Sequence, residues 1–317
     1  MILEPWNLYV NRLDRDNLNA IEFCFEGIQK NILDKLKVVN DSQCNVVVDK
    51  WKREQGGGGK SISLEGKIIE KAAVNFSSIS GKKLPSSSIA TSTKINTSSG
   101  FHAVGVSVIS HPHNPFCPTS HMNVRIFLEV GKNQVIKNWW IGGGFDLTPY
   151  HPSTIDASTW HNAAKDTCDQ FSKTFHKKFA SQCDNYFYLP HRKEKRGIGG
   201  IFFDQLRHKS IEHSLDLLEK ISKTYIDTYQ AIINNHKKDK FSQDDRDFQL
   251  YRRGRYVEFN LLFDRGTKFG IESNGRVESI LASLPPSVNW PFKLSTSIKA
   301  QEKRLLRFLN NNWDQHI

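Results

Sequence analysis

Three groups of residues in this chain could do chemistry: clustered arginines, a run of histidines, and an aspartate behind three glycines. The arginines fall in five blocks: His121-Met122-Asn123-Val124-Arg125, His191-Arg192-Lys193-Glu194-Lys195-Arg196-Gly197, Arg252-Arg253-Gly254-Arg255, Asp264-Arg265-Gly266 and Asn274-Gly275-Arg276. Each adjoins an apolar run that reads as a strand. A guanidinium is a planar fork of donors that matches carboxylate or phosphate geometry. Several forks on one scaffold predict a ligand with several anionic arms. A solvated basic face is the alternative for any single block. It weakens for the set, because these arginines adjoin Gly, Asn and aromatic residues and do not sit in lysine-rich helical surface.

The histidines His111, His113 and His121 share one short segment, His161 follows Trp160, and His191 opens an arginine block. Neutral imidazole is a common metal ligand and titrates near neutral pH. No HExxH pair is present, and the spacing alone favours hydrogen-bonded structural or catalytic histidines over a metal site. In Gly142-Gly143-Gly144-Phe145-Asp146, the glycines allow backbone to pass close to a ligand. The carboxylate behind them suits a cationic or N–H-rich centre, with a turn-capping aspartate as the alternative. Two motifs fail their context. Gly59-Lys60-Ser61 resembles the end of a phosphate-binding loop, but the first glycine of that motif would be Glu54. Gly197-Ile198-Gly199-Gly200 has the wrong spacing for a dinucleotide fingerprint.

The elements that must position these groups follow from periodicity. Helices are expected over about 16–37, 158–184, 210–235 and 298–311. Strands are expected over 101–109, 124–130, 134–140 and 256–263, the last from alternating Val257, Phe259, Leu261 and Phe263. Residues 49–61 read as a charged glycine-rich loop, and 77–100, rich in Ser, Thr, Lys and Gly, as a long mobile connection. Clustered strands favour an α+β domain with an antiparallel sheet covered by helices. The 317 residues allow one large domain or two smaller ones. The net charge of +11 favours an anionic partner. No apolar run approaches the roughly 20 residues of a spanning helix. The first residues show no basic stretch followed by an apolar block, so a cytoplasmic chain is expected. Five scattered cysteines without a CxxC pair predict free thiols.

Longer strings carry a resemblance. HPHNPFCPTSHMNVRIF, WWIGGGFDLTPY, HRKEKRGIGGIFFD, QLYRRGRYVEFNLLFDRGTKFG and GRVESILASLPP, preceded by GGGGKS and EKAAVNFS, are similar to the oxygen-dependent coproporphyrinogen III oxidases over roughly residues 15–310. The resemblance implies a single domain over 1–317 with a large flat antiparallel sheet flanked by helices on both faces, and a homodimer. It implies oxidative decarboxylation of two propionates of coproporphyrinogen III to vinyl groups. Dioxygen is the co-substrate, protoporphyrinogen IX, carbon dioxide and hydrogen peroxide are the products, and no organic cofactor takes part. Ser107, Asn123, Val124, Arg125, Asn274, Gly275 and Arg276 match substrate-binding positions, and the third of the long strings adds Arg192 and Arg196. His121 is carried over as the acid/base. Asp146 is expected to bind pyrrole N–H groups, with Asp264 as the second carboxylate. His111, His121, His161 and His191 match positions assigned to a divalent metal such as manganese in bacterial members, although the chemistry can be written without one.

Some residues depart from the family pattern. Asn274 stands at a usual glycine, Ala73 at a usual glycine, Ala282 at a usual methionine, and 82–98 is long and polar. A nucleic-acid-binding protein is the reading from another class, with arginines on phosphates and Trp139, Trp140 and Tyr150 stacking bases. No RNP, KH or helix-turn-helix pattern supports it. An inactive porphyrin-binding relative is a third reading, opposed by the intact His121, Arg125 and Asp146.

Overall fold

A computed structural model describes residues 12–54, 56–82, 99–272 and 275–313. Among the described residues there are nine strands: β1 (Cys44–Lys52), β2 (Gly57–Gly66), β3 (Ile69–Gly81), β4 (Gly100–Pro112), β5 (Thr119–Val130), β6 (Ile136–Thr148), β7 (Tyr188–Leu189), β8 (Glu194–Lys195) and β9 (Gly199–Leu206). β7 and β8 pair with each other, and the remaining seven form one sheet in the order β1-β2-β3-β4-β5-β6-β9. Every pairing in it is antiparallel. The helices are α1 (Arg15–Val39), α2 (Thr154–Asp169), α3 (Phe175–Tyr186), α4 (Ile211–His236), α5 (Gln243–Leu262), α6 (Arg265–Glu272), α7 (Val277–Leu281) and α8 (Thr296–Leu309).

Strand alternation gives the sheet two different faces. Val104, Val106 and Val108 of β4, Met122, Val124 and Ile126 of β5, and Ile141, Phe145 and Leu147 of β6 enter the main core. α1 and α4 cover that face. α1 begins at Asp14, whose carboxylate accepts the Asn17 N–H at 2.9 Å, and buries Ile21, Phe25, Ile28, Ile32 and Leu36 at helical spacing. Each such side chain stabilises the fold by about 1.5–3 kcal/mol. The other face carries the polar residues of the same strands. α5 lies over it, with Tyr256 packed on Ala73 of β3 and Ile109 of β4. The expected α+β class, with helices on both faces of an antiparallel sheet, is what the chain forms.

Four local expectations need correction. The run 49–61 is the β1–β2 hairpin, with a short turn near Arg53 and Glu54 in place of a long loop. Its glycines serve packing: a Cβ on Gly59 would lie 2.4 Å from the Trp51 ring. Residues 77–81 belong to β3, and the rest of the expected mobile connection, 83–98, lies outside the described residues. The helix expected over 158–184 breaks between α2 and α3. There the Ser172 hydroxyl accepts the Thr174 N–H at 3.3 Å, a local bond that competes with the helical ladder.

The strand expected over 256–263 is the end of α5. A capping box of Ser242 and Asp245 starts this helix. Its buried positions Phe248, Arg252, Tyr256 and Phe259 follow helical spacing. The run 256–263 itself holds no arginine; the alternation misled because the buried Arg252, Arg253 and Arg255 just before it were left out of the helical pattern. Arg252 and Arg255 are buried against Glu194 and Glu302, and Arg253 against Glu70. Leu261, read as inward, is 50% exposed.

Candidate active site

A cavity of about 340 Å³ lies between the polar face of the sheet and α5–α7. Antiparallel register sets its floor in rows. Ser61, Asn75, Ser107 and Asn123 lie side by side on β2, β3, β4 and β5. In a parallel row, Ile109 faces His121 and His121 faces Asp146. The roof brings Tyr256 and Asn260 of α5, Asp264 to Thr267 at the start of α6, and Arg276 and Ser279 at α7.

One wall is a chain of three charged or titratable groups. Arg196 is 1% exposed and Asp146 2% exposed. Arg196 Nη2 donates to Asp146 Oδ1 at 2.9 Å and to Oδ2 at 2.8 Å. Its guanidinium lies against the rings of Phe187, Tyr256 and Phe259, at 4.1, 4.5 and 4.7 Å from their centroids. Burial alone would push the Asp146 carboxyl up. The Arg196 charge and the His121 bond outweigh it and hold the group below the usual carboxylate range. His121 Nδ1 is 2.9 Å from Asp146 Oδ1, so the ionised carboxylate fixes the proton on Nδ1. His121 lines the cavity, and Nε2 is the nitrogen left for a ligand.

Three other cavity arginines are also held. Arg125 donates to Asn123 Oδ1 at 2.7 Å and to Asp204 Oδ1 at 3.0 Å. Gly142 makes room for this pair, since a Cβ there would meet both Arg125 and Asp204 at 2.9 Å. Arg265 reaches Asp204 at 3.3 Å and lies over Tyr186 at 5.0 Å. Arg276 pairs with Asp49 and with Glu278, the latter at 3.0 Å.

Of the expected site residues, Ser107, His121, Asn123, Arg125, Arg196, Asp264, Gly275 and Arg276 line the cavity. Others stand elsewhere. Val124 points its side chain into the core on the opposite face. Arg192 is tied to Glu258 by bonds of 2.8 and 2.7 Å. Arg252, Arg253 and Arg255 are structural, as described above. Asn274 lies outside the described residues. Asp146 is not a strand-end cap: it sits inside β6 and reaches the cavity through His121. Its glycines bring backbone close to backbone, since a Cβ on Gly144, at φ +144°, would lie 2.0 Å from Ile201 O. Asp264 accepts the Tyr186 hydroxyl at 2.7 Å and the Thr267 N–H at 2.8 Å.

The four-histidine metal expectation is not met. His111 is held by Thr119 and by the Ser283 carbonyl, His161 by the Ile198 carbonyl, and His191 by Glu258. Among the described residues, no three His, Cys, Asp or Glu side chains converge to hold a metal ion. Sequence reasoning missed Asp204, Asn75 and the stacked pair Tyr186–Phe202, whose centroids are 4.2 Å apart. The signal for Asp204 was in Ile201-Phe202-Phe203-Asp204, where alternation puts Phe202 and Asp204 on one face.

A sequence profile described as coproporphyrinogen III oxidase matches residues 20–315. The chain belongs to this family. The oxygen-dependent coproporphyrinogen-III oxidases of Francisella tularensis subsp. holarctica (strain OSU18) and subsp. novicida (strain U112) are each 42% identical to it over 302 residues. Those matches cover 93% of this chain and 97% of each relative. The coproporphyrinogen III oxidase match takes in the whole sheet and all the cavity residues. All five cysteines are free thiols. No helix among the described residues is long and apolar enough to cross a membrane.

Proposed function

We propose that the chain converts coproporphyrinogen III to protoporphyrinogen IX, with dioxygen as oxidant. Each propionate, CH2–CH2–COO−, loses carbon dioxide from its end and two electrons and one proton from the carbons that become the vinyl group. The electrons reduce dioxygen, which takes that proton and one from solution to leave as hydrogen peroxide. The observation that carries this reading is the family match, joined to a cavity in which one histidine nitrogen, without a partner among the described residues, stands in front of a buried ion pair. His121 Nε2 takes and returns the proton. Asp146 acts through His121, holding the ring's orientation and offsetting the imidazolium charge, and Arg196 keeps Asp146 ionised. Arg125 and Arg276 bind propionates, each exchanging a protein carboxylate for a substrate carboxylate. Ser107 and Asn123 contact the ring from the floor, and Asp264 is the second carboxylate of the site.

The proposal includes a single-domain chain acting as a homodimer, on the strength of the family resemblance, a cytoplasmic location, and no organic cofactor. Aerobic and anaerobic incubation with coproporphyrinogen III, with products identified by mass, tests it. The expected products are a monovinyl tripropionate intermediate and then protoporphyrinogen IX, in the aerobic sample alone. Equal conversion without dioxygen, or dependence on added flavin or S-adenosylmethionine, would overturn it.

A further inference from the structure

Resting on that reading, the cavity poses a question of hydrogen-bond inventory. A porphyrinogen turns its pyrrole N–H groups towards the centre of the ring and needs acceptors there. The carboxylates around the cavity are engaged. Both Asp146 oxygens take Arg196, and one also takes His121. Asp204 Oδ1 takes Arg125 and the Gln205 N–H, and Oδ2 faces Arg265. Asp264 is divided between Tyr186 and Thr267. Asn123 Oδ1 takes Arg125.

Asn75 is different. Its Nδ2 donates to the Ser279 carbonyl at 3.3 Å. That bond decides which end of the amide is nitrogen, because the reverse would set two oxygens against each other. Oδ1 is then a buried acceptor with no partner among the described residues. A desolvated orphan acceptor costs roughly as much as a lost hydrogen bond, and such atoms in native proteins call for an explanation. The residue lines the cavity beside Ser107, with Asn123 one strand further. Neighbouring strands are about 4.8 Å apart, so Asn75 and Asn123 stand roughly 10 Å apart, the scale of the whole macrocycle.

We propose that Asn75 Oδ1 accepts a pyrrole N–H of the substrate and so selects the reduced ring. A porphyrinogen offers an N–H on every pyrrole. The oxidised porphyrin offers N–H on only half of them and bare nitrogens on the rest, which repel an acceptor oxygen. A neutral amide can accept this bond without drawing the pyrrole proton away, leaving proton transfer to His121.

The test compares Asn75→Leu with Asn75→Asp. Leucine removes the acceptor. Aspartate keeps an acceptor oxygen but loses the N–H that reaches Ser279. Asn75→Leu should raise KM for coproporphyrinogen III about tenfold, the scale of one lost hydrogen bond, with kcat nearly unchanged. Inhibition by coproporphyrin III should be as strong in this variant as in the wild type, or stronger. Asn75→Asp should keep KM within about threefold of the wild type. An unchanged KM in Asn75→Leu would overturn the proposal. Equal failure of both variants would also overturn it, assigning Asn75 to the bond that ties α7 to the sheet. Asn75→Ala takes the place of leucine if that variant does not fold. A wild-type protein inactive on coproporphyrinogen III would sink the functional reading itself, which the wild-type arm shows separately.

Discussion

Asp146 illustrates how a carboxylate can serve a reaction from behind another residue. Replacing it with asparagine keeps the shape but leaves Arg196, 1% exposed, without its counter-charge. Breaking a buried pair costs about 3–5 kcal/mol, so Asp146→Asn should lower Tm measurably. It should also lower kcat far more than it raises KM, because the His121 ring loses its orienting anion. An Asp146→Asn protein with normal kcat and a raised KM would show instead that the residue meets the ring directly. Arg125 belongs to the same scale. Its two bonds, to Asn123 and Asp204, hold the fork at the cavity wall, where a propionate would take the place of Asp204. Arg125→Ala should reduce kcat/KM about tenfold to a hundredfold, the worth of one charge-assisted bond. Arg125→Lys should recover only part of that loss, since an ammonium cannot reproduce the fork. Unaltered kcat/KM in the alanine variant would remove Arg125 from propionate binding.

The elements over the cavity are held by specific bonds. The turn after α7 is tied to β4 where His111 meets the Ser283 carbonyl at 2.9 Å. Burial, followed by the nearby Arg253 charge, holds the His111 pKa well below its ordinary value. The folded protein therefore keeps the ring neutral while the unfolded chain protonates it near pH ~6.5. Its contribution to stability is complete above that pH and falls away as the pH drops below it. Wild-type Tm should decline from about pH 6.5 towards 5, and His111→Gln should show a shallower decline. His236 titrates in the opposite sense, because Asp239 and Asp156 more than offset its burial and raise its pKa. It is present in both proteins, so the difference in slope isolates His111, and parallel slopes would refute this account. Two departures from the family pattern also meet at this layer. Ala73 and Ala282 both pack in the cluster around Ile109 and Tyr256. An added methyl group on the sheet therefore faces a shortened side chain on the roof, offsetting part of the volume that the loss of methionine leaves.

For the molecule as a whole, the +11 charge invites a nucleic-acid reading. The arginines that suggested it have carboxylate partners, in the cavity or in the buried network of α5. Raising the salt concentration should therefore leave KM for coproporphyrinogen III within about threefold, since pairs inside a cavity are screened little. A steep, log-linear loss of affinity with salt would instead mark phosphate-backbone binding. Chelator treatment should leave Tm unchanged, because His111, His161 and His191 are each satisfied by a protein partner. A fall in Tm restored by one divalent ion per chain would show that these histidines regroup around a metal.

The sequence by itself determined the elements whose pattern is local. Helix α1 was legible because Ile21, Phe25, Ile28, Ile32 and Leu36 repeat at the helical period, and parts of β4, β5 and β6 were legible as strands over 101–109, 124–130 and 134–140. His121, Asn123 and Arg125 were legible as site residues because they fall in a long family string, while their shared strand face appears only in β5 as folded. Only the tertiary structure decided what each charge faces. Arg253 and Arg125 look alike in sequence, yet one is buried against Glu70 and the other lines the cavity. The alternation over 256–263 pointed to a strand because the helical pattern shows only when the buried Arg252, Arg253 and Arg255 upstream are counted with it, and their burial depends on carboxylates brought from β3, β8 and α8. The His121–Asp146–Arg196 chain and the row through Asn75 depend on strand register, which sets residues far apart in sequence side by side. Ion pairing and register are properties of the assembled sheet and its roof, so no local pattern in the chain encodes them.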